Sequence, residues 1–111
     1  MNAAQIDRLL ASVPDTTEER HRRRVLGYAM TARRIDARIS ALRGELERAL
    51  RAVDDAVADG GGEAAADEAL ALARELDSLE RVQPRVDSWL RVSVGSVVDD
   101  QGLEPFGEGP V

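Results

Sequence analysis

The sequence predicts an all-α protein: a long antiparallel helical hairpin with coiled-coil-like packing, a short N-terminal helix and a flexible C-terminal tail. Three observations favour this fold class. An apolar stripe with alternating steps of four and three residues runs without a break from residue 21 to residue 56. Three consecutive glycines follow at residues 60–62. A second stripe with the same spacing begins after them, and two stripes joined by a tight turn favour an antiparallel hairpin.

Composition limits the class of protein. The 111 residues are enough for one domain, and only three are aromatic, which suits a thin helix–helix seam better than a thick core. The absence of cysteine excludes disulfides and thiolate metal sites. No segment reaches the ~18 consecutive apolar residues of a membrane span. We therefore expect a cytoplasmic protein without a membrane span.

The first predicted helix covers residues 2–13, and Pro14 ends it. We expect it to fold back over the part of the second helix near Val25, which the third helix is too short to cover. Its apolar residues share one face at three-to-four spacing. They are Ala3, Ile6, Leu9 and Val13.

The second predicted helix covers residues 16–59. Thr16 followed by Glu19 has the spacing of a capping box, and the three glycines end the helix. About 44 residues at ~1.5 Å each give a rod of roughly 65 Å. Its stripe alternates between heptad positions a and d. These positions hold Val25, Tyr28, Ala32, Ile35, Ile39, Leu42, Leu46, Ala49, Val53 and Ala56.

The third predicted helix covers residues 63–92. In an antiparallel hairpin its Leu72 and Leu76 should lie opposite residues 42–46 of the second helix. Pro84 should kink or break it, because proline lacks the amide proton of a helical hydrogen bond and clashes one turn back. The helical hairpin domain then spans residues 1–92.

Residues 93–111 are expected to form an extended or disordered tail. Helical periodicity ends after Leu90, and the β-branched residues that follow favour a short strand instead. These residues are Val92, Val94, Val97 and Val98. Beyond them, glycine, proline and acidic residues dominate, which is typical of disorder. Leu103 and Phe106 are the only sizeable apolar side chains of this end, and we predict that they anchor the tail in a groove on this protein or on a partner.

The sequence predicts no catalytic, cofactor or metal site. His21 is the only histidine, so a transition-metal site lacks ligands. The stretch RRIDARISALRGELERAL, at residues 33–50, resembles the long first helix of chorismate mutases. The catalytic lysine of that pattern has no counterpart, because all fifteen basic residues here are arginine. We therefore expect a protein that is not an enzyme.

Several apolar residues lie beside the stripe and widen the apolar face beyond a two-helix seam. They are Leu50, Val57, Leu70, Val82 and Trp89. A third helix, from another copy or from a partner, would bury them. The full set of predicted partner-binding residues is Tyr28, Ile35, Ile39, Leu42, Leu46, Leu50, Val53, Val57, Leu70, Val82, Trp89, Leu103 and Phe106.

These features favour a non-enzymatic structural or adaptor subunit that packs its long helix against another copy or a partner protein in a larger assembly. A second hypothesis is a small nucleic-acid-associated regulator that binds the polyanion through Arg20, Arg22, Arg23 and Arg24. Consecutive residues point all round a helix, which disfavours a single basic face. A third hypothesis is an export-type chaperone that shields an amphipathic helix of its partner.

Overall fold

The computed structural model describes the backbone of residues 1–103 and the side chains of residues 1–99. Over this part, the chain forms three α-helices and no strand: α1 (Ala3–Ala11), α2 (Glu19–Ala58) and α3 (Glu63–Leu103). The two long helices pack against each other as a rod of 73 × 23 × 18 Å. Its radius of gyration is 20.8 Å, against ~13 Å for a compact chain of this size. The predicted all-α helical hairpin is confirmed.

The middle of the hairpin is held by the predicted seam. Ile39, Leu42 and Leu76 form a buried cluster between α2 and α3. Leu46 and Leu72 pack against this cluster, so the expected opposition of the two leucine pairs is confirmed. Burial of these side chains removes apolar surface from water, which is the main force that holds the two helices together.

At the open end of the hairpin, α1 adds a third helix. Ile6 is fully buried there, in a cluster that includes Val25 and Ala29 of α2 and Leu90 of α3. The fold-back of the first helix near Val25 is therefore confirmed. The expected reason is wrong, because α3 has 41 residues and α2 has 40, so α1 packs onto an end where both long helices are already present.

The capping box lies at the start of a different helix from the one predicted. The Thr16 and Glu19 box is wrong: α2 begins at Glu19, and its cap residue makes no side-chain capping hydrogen bond. The amide of Thr17 already donates to the carbonyl of Pro14, which keeps this segment in a turn. The Glu19 carboxylate accepts from Arg23 instead. A capping box does form at α1, between Asn2 and Gln5.

α3 is longer than predicted. It continues past residue 92 to Leu103, so neither the extended segment from residue 93 nor the short strand is correct. Val94 and Val97 are buried against the three-helix end, four and seven residues after Leu90. This burial outweighs the modest helix cost of β-branched residues.

Pro84 lies inside α3 without ending it, so the helix is not broken there, and the predicted kink stays a prediction. Proline removes one backbone hydrogen bond. Val86 and Leu90, two and six residues after it, are both buried in the core. Their packing keeps the helix continuous across the missing bond.

The turn between α2 and α3 requires glycine at two positions. Gly60 has φ +88° and Gly62 has φ +125°. Residues with a Cβ atom rarely adopt such positive φ values. A Cβ on Gly62 would also lie 3.1 Å from the Cγ2 atom of Val57. Gly61 has neither constraint, because its nearest contact is an ordinary 3.8 Å.

We expect Gly62→Ala to lower the free energy of unfolding by about 1–2 kcal/mol, because alanine is strained at this φ. Gly61→Ala is the matched control and should leave stability unchanged or slightly higher. Urea unfolding followed by circular dichroism measures both. Equal losses for the two variants would contradict the assignment of the strain to Gly62.

An ion pair joins the long helices beside the seam. Arg38 donates from Nε and Nη2 to the two carboxylate oxygens of Glu75, at 2.9 and 3.0 Å. These hydrogen bonds hold the pKa of Glu75 below its ordinary value of 4.5. A lowered pKa in the folded state stabilises the protein above the unfolded value, and this contribution disappears as the pH falls through the folded value.

A double-mutant cycle with Arg38→Gln and Glu75→Gln should therefore show favourable coupling at neutral pH. We expect the coupling to vanish when the pH is well below the ordinary glutamate value of 4.5, because the protonated carboxyl no longer carries a charge. High salt should weaken it at neutral pH, since both side chains are about half exposed. Coupling that persists unchanged in acid would show that the contact is not electrostatic.

Candidate protein-interaction groove

One long side of the hairpin, here called the groove flank, carries the candidate site. Residues seven apart lie on the same side of a helix, since seven residues make about two turns. The α2 row of the groove flank consists of Ala29, Asp36, Arg43, Leu50 and Val57. The α3 row consists of Val94, Asp87, Glu80, Ala73 and Ala66. An ion pair of 2.7 Å between Arg43 and Glu80 joins the two rows near the middle of the rod.

The half of the molecule far from the turn at residues 60–62 is here called the open half. In this half, α1 covers the groove flank. The amino group of Met1 donates to the Asp87 carboxylate at 2.6 Å, in a contact that is almost completely buried. Arg33 of α2 pairs with Asp7 of α1. α1 is thus attached to both long helices, and the Ala29 position beneath it is only 1% exposed.

The half that contains the turn at residues 60–62 is here called the tip half. In this half, nothing in the described part of the chain covers the same flank. Leu50 is 51% exposed and Leu70 is 49% exposed. They border an open groove of about 370 Å³ between the two long helices, here called the tip groove. Every residue that lines this groove is apolar: Leu46, Leu50, Val53, Ala66, Ala69, Leu70 and Ala73.

Ala29 and Leu50 differ in burial although they occupy equivalent positions on the groove flank. The two residues belong to one row, three repeats of seven residues apart, yet the first is buried by α1 and the second is half exposed. α1 is a nine-residue amphipathic helix. The open half thus shows how a short amphipathic helix packs on this flank, and the tip half offers an unfilled surface of the same kind.

The tip half is strongly acidic. Residues 46–73 contain seven carboxylates and two arginines, a net charge of −5. One of the arginines, Arg51, pairs with Glu47 at 2.6 Å, and both side chains are largely exposed. The groove therefore combines an apolar floor with acidic surroundings.

The predicted partner-binding residues fall into three groups. Ile39 and Leu42 are buried between α2 and α3 and offer no surface to a partner, while Tyr28 and Ile35 are half-buried against the core. The second group lines or extends the tip groove. It consists of Leu46, Leu50, Val53, Val57 and Leu70.

The third group lies on the opposite long side of the hairpin. Val82 and Trp89 follow Glu75 at steps of seven residues, on the side where Glu75 pairs with Arg38. Both are exposed, and the centroid of the Trp89 ring lies 6.1 Å from the centroid of the Tyr28 ring. The five extra apolar residues therefore do not form one surface.

The tail prediction lies outside the described side chains. α3 ends at Leu103, whose side chain is not described, and Phe106 lies beyond the described backbone. Sequence reasoning also missed three small residues of the groove, Ala66, Ala69 and Ala73. Their signal is the three-and-four spacing that they share with Leu70.

The arginine cluster at the start of α2 is spread around the helix: Arg20, Arg23 and Arg24 share one side by their spacing, and Arg22 lies on another. Arg20 pairs with Glu18 at 3.0 Å, and Arg23 pairs with Glu19 at 2.9 Å. Arg22 donates to the carbonyl of Asp15 at 2.7 Å. The fourth member, Arg24, borders a small cleft between α2 and α3 that also includes His21, Ser93 and Ser96. Successive arginines point in different directions because consecutive helical residues are ~100° apart.

Among the residues with described side chains, no group of three or more histidine, aspartate or glutamate residues is placed to hold a metal ion. Within the described helices, none is both long and apolar enough to cross a membrane. The chain matches no protein-family model, and no curated protein or solved structure matches it.

Proposed function

We propose that this protein is a non-enzymatic adaptor that binds an amphipathic helix of a partner protein in the tip groove. The observation that supports this proposal is the exposure of Leu50 beside the burial of Ala29 in the same row. Burial of apolar surface at ~25 cal/mol per Å² is the usual driving force for such contacts. A helix laid in an apolar groove is also a recurrent mode of peptide recognition. A cytoplasmic location belongs to the same proposal.

The rod shape supports an adaptor in a second way. The groove lies near one end of a molecule 73 Å long, and α1 closes the same flank at the other end. A partner helix bound at the tip would leave the opposite side free, including exposed Trp89 and Val82. Such a molecule holds its partner at one end and keeps the other end available for a larger assembly.

Site-specific crosslinking in the native host tests the proposal. A photo-crosslinking amino acid in place of Leu50 should give an adduct with one partner protein, and mass spectrometry should map it to a helical segment. The matched control is the same amino acid in place of Leu26. That residue is 44% exposed on α2 but outside the groove, so it should not give this adduct.

The adduct should also disappear when Leu70→Gln and Val53→Gln are added, because both side chains line the groove. Circular dichroism should confirm that these variants keep their helix content. Equal crosslinking from positions 50 and 26, or crosslinking that survives the groove substitutions, would show that the groove does not bind the partner.

A further inference from the structure

The charges beside the groove specify the kind of helix that fits it. In the open half, Arg33 of α2 holds the carboxylate of Asp7 on the docked α1. Glu47 and Asp54 stand fourteen and twenty-one residues further along α2, on the same side of the helix as Arg33. The position that offers a cation to α1 therefore offers carboxylates in the tip half.

From this inversion we infer that the occupant of the tip groove is a basic amphipathic helix of a partner protein, with arginine or lysine where α1 carries Asp7. The inference rests on the proposed function and names the chemistry of its partner. The apolar residues of the helix cover Leu50 and Leu70, and its basic residues face Glu47 and Asp54. Asp54 is exposed and makes no ion pair within the described part of the chain, so it is available for this contact.

A second copy of the chain fits the groove less well. Two tip halves placed face to face would each bring a net charge of −5 across residues 46–73. Like charges across an interface are unfavourable. The α1 helix of a second copy is already packed on its own hairpin through Ile6, and it presents Asp7 where the groove requires a cation.

The inference is tested with two synthetic helices of roughly 14 residues, about 21 Å at ~1.5 Å per residue. Both carry the same leucine stripe at i, i+3, i+4 and i+7. The basic probe has lysine beside the stripe, and the acidic probe has glutamate at the same positions. Fluorescence anisotropy with the full-length protein measures the affinity for each probe. We expect the basic probe to bind at least about tenfold more tightly at low salt, with the difference shrinking at high salt.

Reversing the two carboxylates beside the groove gives a stricter test of the inferred charge. Glu47→Arg combined with Asp54→Arg should reverse the preference, so that the acidic probe binds more tightly. The matched control is Asp55→Arg combined with Glu68→Arg, which changes the net charge equally. Asp55 follows Asp54 and points away from the groove, and Glu68 borders a cleft on the opposite side of the hairpin. The control should keep the preference for the basic probe.

Each outcome separates the inference from the proposed function. Leu50→Gln with Leu70→Gln keeps the net charge and should abolish binding of the basic probe. If both probes bind equally and these glutamines abolish both, the groove is a helix-binding site and the inferred charge is wrong. If neither probe binds, the inference is overturned, and crosslinking from position 50 decides the proposed function separately. Sedimentation that shows a dimer, dissolved by the same glutamines, would identify a second copy as the occupant and also overturn it.

Discussion

Replacing Leu42 by alanine is expected to lower the free energy of unfolding by about 2–4 kcal/mol. Leu42 is fully buried at the centre of the seam cluster with Ile39 and Leu76. Truncation removes buried methyl groups and leaves a cavity that the two helices fill only partly. The seam of a two-helix rod is one side chain thick, so no second layer of core replaces the lost contacts.

Leu50→Ala is the matched control for this prediction. It makes the same chemical change on the same helix, but Leu50 is half exposed in the tip groove, so stability should change by less than about 0.5 kcal/mol. Urea unfolding at several protein concentrations measures both variants. If Leu50→Ala costs as much as Leu42→Ala, and the cost depends on protein concentration, the groove is buried in a dimer.

The seam was predictable from sequence because its signal is periodic. The steps of four and three that place Ile39, Leu42 and Leu46 on one face of α2 recur at Leu72 and Leu76 of α3. The glycines between them fix an antiparallel connection. The spacing of the apolar residues within each helix predicts the buried face of that helix, so distant contacts need not be known.

The helix ends were less predictable because they depend on competing local and tertiary interactions. Thr16 is not the cap residue of α2, because the helix begins only at Glu19 and the Thr17 amide bonds to the carbonyl of Pro14 in the preceding turn. The valines at 94 and 97 favour a strand by local preference, yet they are helical because α3 buries them against the three-helix end. A long-range contact that outweighs local preference cannot be read from the local preference.

The candidate groove was predictable only in part. Leu50, Val57 and Leu70 were expected beside the seam, and the structure leaves all three exposed. Their separation from Val82 and Trp89, which lie on the opposite side, depends on the register of α2 against α3. Two ion pairs reveal that register, and the sequence offers several partners for each charge. The cover that α1 provides over half of the groove flank also required the tertiary structure.

Ile6→Asp is expected to detach α1 from the hairpin. Ile6 is the only fully buried residue of α1, and a carboxylate in its place would have to be buried without a partner. We expect the free energy of unfolding to fall by about 3 kcal/mol, as for other charged substitutions in a core. Hydrogen exchange should accelerate in α1 and around Val25 and Leu90, while the separate cluster around Leu42 keeps its protection.

Ala4→Asp is the control, because it places the same carboxylate on the exposed face of α1 and should leave exchange unchanged. Ile6→Asp should also leave the affinity for the basic probe unchanged. Leu50 lies 21 residues after Ala29 on the same helix, roughly 32 Å away at ~1.5 Å per residue. The core clusters at the open end and in the middle of the hairpin share the partly buried Ile35 but no buried residue, so loss of the cover over the open half should not alter the floor of the tip groove. Weaker probe binding after Ile6→Asp would show that the two halves are coupled and that α1 does more than cover the open end.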